Sequence, residues 1–152
     1  MRTLLSIIAL SLLAFGCQPQ SRTPLVVEDS TPIVGAGRTM TEALGIETLG
    51  GVFTPLIKPG TTVPCSLSEV FSTAADGQSQ IMVTPFRGTN QMAANNHGLG
   101  RFQIVGIRSA PRGVPQVEIT FTITERQILL SAHDLTRKTD LQIRRVSGDT
   151  KP

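Results

Sequence analysis

The 152-residue chain has no tryptophan and no tyrosine, and phenylalanine at six positions is its only aromatic. Binding of single-stranded nucleic acid by base stacking therefore has almost nothing to rest on. Charge is also sparse, at 16% of residues with a net +3. The basic residues Arg87, Arg101, Arg108, Arg112, Arg126, Arg144 and Arg145 are scattered rather than gathered into a stripe that would neutralise a run of phosphates, so no nucleic-acid partner is expected. Cysteine occurs twice, at Cys17 and Cys65, with no C-x-x-C pair to hold a metal. The chain is shorter than the roughly 250 residues of an eight-stranded α/β barrel, and two packed domains would be crowded. The apolar run Leu4–Phe15 would make a helix of only about 18 Å, short of the ~30 Å hydrocarbon core, which argues against a permanent membrane span.

That run follows a short cationic start, Met1-Arg2-Thr3, and precedes Gly16-Cys17, the layout of a signal peptide over 1–16. Leu13-Ala14-Phe15-Gly16-Cys17 resembles the lipobox of bacterial lipoproteins, with Leu one place early and Phe15 bulkier than usual. The resemblance implies acylation of Cys17 and firm membrane anchoring. Ordinary cleavage and a soluble secreted chain is the alternative. Gln18 after the cysteine, rather than Asp, resembles the outer-membrane signal, so the expected location is the bacterial cell envelope, facing the periplasm. Cys65 is then left without a disulfide partner. Residues 17–43 carry Pro19, Pro24, Pro32, Gly35, Gly37 and many Ser and Thr with no sustained period. They read as a flexible tether reaching roughly 30 Å. Leu25-Val26-Val27 is an apolar exception within it, either a lone strand or a sticky patch.

From residue 44 the pattern becomes short β-type runs punctuated by turn residues, which predicts an all-β fold, a single antiparallel β-sandwich over 44–147 with a disordered tail at 148–152. In Val117–Thr124, Val117, Ile119, Phe121 and Ile123 fall on one face and Glu118 and three threonines on the other. Further strands are expected at 46–57, 69–73, 79–86, 102–107, 127–132 and 141–146. Gly50-Gly51 interrupts the first with a bend, a bulge or a close backbone approach. Pro85 places its strand at an edge or near an end. No helix is predicted.

Catalytic chemistry finds little support. His97 and His133 have no companion at metal-ligand spacing and read as surface residues. Gly35-Ala36-Gly37 lacks the Lys-Ser/Thr of a phosphate loop. Ser131-Ala132-His133-Asp134 is a sequence neighbourhood, whereas catalytic triads are assembled across a fold around an oxyanion hole. No enzyme, no metal and no cofactor are expected.

A more specific pattern lies elsewhere. Leu44-Gly-Ile-Glu-Thr-Leu-Gly-Gly-Val52, Thr61-Thr-Val-Pro64, Val70-Phe-Ser-Thr-Ala74, Asp76-Gly-Gln78, Ala110-Pro-Arg-Gly-Val-Pro-Gln116 and Val117–Phe121 occur in one order and spacing. Together they resemble the β-sandwich substrate-binding domain of the 70-kDa heat-shock chaperone family, DnaK type, over about 44–146. The resemblance implies a channel in which an extended peptide is held by its backbone and by one apolar pocket, a sequence-tolerant mode of recognition. Position by position, it implies Ile81 as pocket floor, Ile46, Phe71, Val83 and Val117 as apolar wall, and Val52 with that lining. Leu49 and Ala74 match the pair that arches over the bound chain, and Thr48, Ser72 and Gln78 match positions near its hydrogen-bonding groups.

The departures from the family are as informative. The resemblance does not extend to the ATPase domain or to the helical lid, so no nucleotide is expected, and Asp76 and Arg112, which match lid-latching residues, are expected to pair with each other or with water. Thr122-Ile-Thr-Glu-Arg-Gln127 stands where the family has alternating aspartates used between domains. The implied function is ATP-independent, holdase-like binding of extended hydrophobic segments of unfolded envelope proteins by a lipid-anchored domain. The alternative is a structural lipoprotein whose sandwich docks a fixed envelope partner through a vestigial groove. The run Leu25-Val26-Val27 is also a candidate to fill that groove itself.

Overall fold

The structure, a computed structural model, describes residues 24–28 and 34–146; the signal segment, Cys17 and the tail at 148–152 lie outside them. In chain order its strands are β1 (Leu25–Glu28), β2 (Ala43–Thr48), β3 (Val52–Ile57), β4 (Cys65–Phe71), β5 (Gln80–Val83) and β6 (Pro85–Gly88). After a single 3₁₀ turn at Ala93–Asn95 come β7 (His97–Gly98), β8 (Arg101–Val105), β9 (Val117–Ile123), β10 (Ile128–Asp134), β11 (Thr139–Asp140) and β12 (Gln142–Val146). Every pairing is antiparallel, in sheets ordered β1-β10-β9-β4 with β11 on β10, β12-β8-β5, and β3-β2-β6-β7. The fold is the expected all-β sandwich.

Its main core cluster draws on all three sheets, and a smaller one joins Ala43, Phe53 and Ala93. Leu44, Ile46, Ile57, Ile81, Val83, Phe102, Ile104, Val117, Ile119, Phe121, Ile123 and Leu130 are all buried in the main one. The predicted alternation in β9 is complete: its odd-numbered residues are buried and its even-numbered ones half-buried. On the outer face, Ser66 shares a hydroxyl hydrogen bond with Thr122 (2.9 Å) and Ser68 with Thr120 (2.8 Å), cross-strand pairs that fix the β4–β9 register.

Several expectations are refined. The run predicted at 46–57 is a hairpin, because Gly50 and Gly51 both adopt positive φ (84° and 74°), where a side chain would be strained. The run at 79–86 is two strands in different sheets: β5 pairs with β8, and after Thr84 the chain passes to β6, which opens on Pro85 opposite Ile46. Gly45 is required by space rather than by φ, since a Cβ there would collide with the Thr54 carbonyl and the Phe53 ring.

The tether expected over 17–43 is corrected for its described residues, 24–28 and 34–43; 17–23 and 29–33 lie outside them. Leu25–Glu28 is a strand paired with β10, and Val27 is buried in the core, so this run belongs to the sandwich and does not occupy a groove. Arg145 on β12 donates to the Val27 carbonyl and lies over the Phe102 ring, 5.0 Å from its centroid. Residues 34–42 are likewise folded. Val34 bridges Met40 around a turn closed by the Gly35 N–H on the Thr39 carbonyl (2.9 Å), and Met40 is buried. The apolar residues of this segment find core surface at the sandwich edge, which composition alone did not reveal. His133 is also corrected: it is buried, not superficial, because β11 folds back beside the end of β10 and Asp140 meets its Nδ1 at 2.8 Å.

Candidate functional site

The residues singled out from the sequence lie at the β2–β3 hairpin end, in the loop 72–79 between β4 and β5, and on the strands beneath. The hairpin end is held locally: Thr48 Oγ1 donates to the Val52 carbonyl (3.2 Å) and shares a hydrogen bond with Thr54 Oγ1 (2.9 Å). It is braced from the side by the loop 89–96, through the Ala93 N–H on the Gly51 carbonyl and the Phe53 N–H on the Gln91 carbonyl, both 2.9 Å. Leu49 stands at its tip, fully exposed, and Val52 is also exposed.

The second loop is held by Gln78. Its Oε1 accepts the backbone N–H groups of Ala74 (3.0 Å) and Ala75 (3.2 Å), and its Nε2 donates to the Gln80 carbonyl (2.6 Å). Ser72 Oγ donates to the Pro115 carbonyl at 2.6 Å. The hydroxyl of Thr48 and the amide of Gln78 are thus spent on shaping their own loops, and the hydroxyl of Ser72 on tying its loop to the 106–116 segment. Among the described residues, the backbone N–H and C=O groups of Leu49 and of Ser72 make no hydrogen bond. These free main-chain groups flank exposed Leu49 and Ala74 and can meet an extended backbone whatever its side chains.

Below, Ile46, Ile81, Val83 and Val117 belong to the core cluster, with Phe71 packed against it. Ile81 keeps 8% of its surface, Ile46 6%, Val83 5% and Val117 none, so these are apolar core side chains that leave little area open to a ligand. Val117 backs the wall from behind, opposite Phe71 in the β4–β9 register.

Sequence reading missed the brace behind this loop. The 106–116 segment is bonded to it by the Gly113 N–H on the Thr73 carbonyl (3.0 Å), the Gly77 N–H on the Ala110 carbonyl (2.9 Å) and the Arg112 N–H on Asp76 Oδ1 (2.8 Å). Asp76 and Arg112 do meet, but through the Arg112 backbone rather than its guanidinium. The Pro111-Arg112-Gly113 turn was the available signal. Met92, also exposed, bridges Val52 and was not singled out.

A profile of the family described as Hsp70 protein matches residues 25–150. The chain belongs to the Hsp70 family. DnaK chaperone protein of Methanothermobacter thermautotrophicus is 53% identical over 112 residues, covering 73% of this chain and 17% of the relative. DnaK of Mycoplasmopsis synoviae is 55% identical over 93 residues, covering 60% of this chain and 16% of the relative. Heat shock protein hsp-6 of Caenorhabditis elegans is 50% identical over 113 residues, 74% of this chain and 16% of the relative. The chain therefore spans about a sixth of the length of these Hsp70 relatives. The β9–β10 turn is held by Thr124 Oγ1, which accepts the Gln127 N–H (3.0 Å), and is tied to the segment before β2 by Glu125, which pairs with Arg38 (2.6 Å).

Proposed function

We propose that this Hsp70-family sandwich binds extended apolar polypeptide segments without using ATP, holding unfolded envelope proteins rather than refolding them. The observation that carries the reading is the set of unpaired main-chain groups at Leu49 and Ser72, and the apolar core residues Ile81, Ile46 and Val83 would supply the floor. Leu49 and Ala74 flank the bound backbone, and Val52, Phe71 and Val117 complete or support the wall. Affinity is expected in the micromolar range, about −8 kcal/mol, with fast release. Cys17 carries the lipid, as the apolar run and Gly16-Cys17 support, and holds the domain at the outer membrane facing the periplasm.

The test is fluorescence anisotropy of a labelled leucine-rich peptide with the full chain in nanodiscs of zwitterionic lipid. Saturable binding that Ile81→Phe abolishes, with the variant's melting curve retained, supports the client groove. Equal binding by wild type and Ile81→Phe sinks it. The small open area of Ile81, Ile46 and Val83 favours a second reading, a fixed envelope partner on the same surface, and there generic peptides fail to displace what co-purifies with the chain. For the anchor, mass spectrometry of the N-terminal peptide should show acylation at Cys17, and Cys17→Ala should move the protein out of the membrane fraction.

A further inference from the structure

A second concavity is lined by other residues, on the 106–116 segment that braces the 72–79 loop. The 106–116 segment leaving β8 and the turn 134–137 leaving β10 enclose a cavity of about 340 Å³. The two walls are joined by the Leu135 N–H on the Gln116 carbonyl (2.9 Å), and the first wall is fixed from behind by its bonds to Thr73, Asp76 and Gly77. The cavity is therefore preformed. Pro111, Val114 and Pro115 give it an apolar lining. Val114 is 56% exposed, and Leu135, adjoining the lining residue Asp134, is 40% exposed. An apolar mouth of this kind is left unfilled by the fold itself.

Its charge is directional. Arg108 and Arg137 both line the cavity and both are exposed. The Arg108 side chain makes no hydrogen bond or ion pair among the described residues, and Arg137 uses one donor, Nη1, on the Gly106 carbonyl at 3.3 Å. The one lining carboxylate, Asp134, is buried, and its Oδ1 is spent on the N–H groups of Thr136 (2.9 Å) and Arg137 (3.0 Å), which fold the turn. Two guanidinium forks thus remain to receive a carboxylate in bidentate fashion beside an apolar recess. The volume sits at the small end of ligand pockets, room for one or two side chains. A concave recess selects a discrete side chain, which a flat lipid surface does not present.

We propose that this cavity is a second binding site, taking a short acidic peptide segment of a partner protein that inserts one aliphatic side chain between the two loops while its carboxylates pair with Arg108 and Arg137. None of the residues placed at the Leu49 and Ser72 surface lines this site, although Ser72 Oγ bonds to the carbonyl of the lining residue Pro115.

The experiment uses the full chain in zwitterionic nanodiscs and a labelled peptide with one leucine flanked on each side by two glutamates. Saturable binding is expected, weakened about tenfold or more by Arg108→Glu with Arg137→Glu, by Val114→Asp, and by replacing the peptide's leucine with serine. A peptide with lysines for glutamates should not bind, and excess of an uncharged leucine-rich peptide should not displace the acidic one. Should the double variant lose its folded circular dichroism, Arg108→Glu alone carries the test, since that side chain has no partner to lose. Absence of saturable binding, binding indifferent to Arg108→Glu, or displacement by the uncharged peptide overturns the proposal. So does Arg108-dependent capture of phosphatidylglycerol vesicles without peptide binding, which would assign the charge to a membrane surface.

Discussion

Thr73 is the buried residue whose chemistry is least satisfied. It keeps 5% of its surface, and its Oγ1 has no hydrogen-bond partner among the described residues. A buried hydroxyl without a partner carries its desolvation cost uncompensated, whereas an apolar group of the same shape does not. Thr73→Val is expected to raise stability by about 1 kcal/mol, read as a higher urea midpoint at unchanged slope. Cys65, half-buried at the start of edge strand β4, has its thiol pushed up by burial. A thiol pKa higher in the folded than in the unfolded state favours the fold below the unfolded value, and the advantage fades as pH rises through the folded one. Iodoacetamide alkylation at pH 8 should therefore be slower in the native protein than in urea. Equal rates would contradict the burial.

At the scale of the element, β1 is the instructive case. Val27 points into the core and Val26 outward, at 3% and 38% exposure, so the strand contains its own control. Val27→Ala is expected to cost about 2 kcal/mol, whereas Val26→Ala should stay within about 0.5 kcal/mol, both read by urea unfolding. The contrast also shows what could be read from the sequence. The period-two pattern of β9 is a local signal, and Val117, Ile119, Phe121 and Ile123 announced their face without reference to anything else. Strand β1 has the same residue types, but its place is decided by β10 and by Arg145, 118 positions away, and no local window contains that. His133 escaped for the same reason, since β11 covers it from outside its own strand. At the candidate site, the residues were chosen through the family resemblance. The roles of Gln78, Ser72 and Thr48 as internal fasteners were not legible, because a polar side chain in a loop looks the same whether it faces a ligand or its own backbone.

For the whole molecule, a main core cluster fed by all three sheets ties the stability of each sheet to the others. Urea unfolding followed by circular dichroism and by amide exchange should give a single coincident transition. The pairings that close the sandwich are distant, with Ser68 and Thr120 separated by 52 positions. Loop closure must precede most of the stabilisation, so folding is expected on the millisecond-to-second scale rather than in microseconds. Stopped-flow refolding that finished within the dead time would contradict this.

The placement of β1 also has a mechanical side. It lies antiparallel to β10 at the sheet margin, paired on one side only and fastened at its far end by Arg145. A pull on the chain ahead of Leu25, directed away from the sheet, loads its ladder bonds one after another rather than all together. The strand would peel like a zip and give way before the Val117–Ile123 centre felt the strain, so the N-terminal strand acts as a force-limiting fuse for the domain behind it.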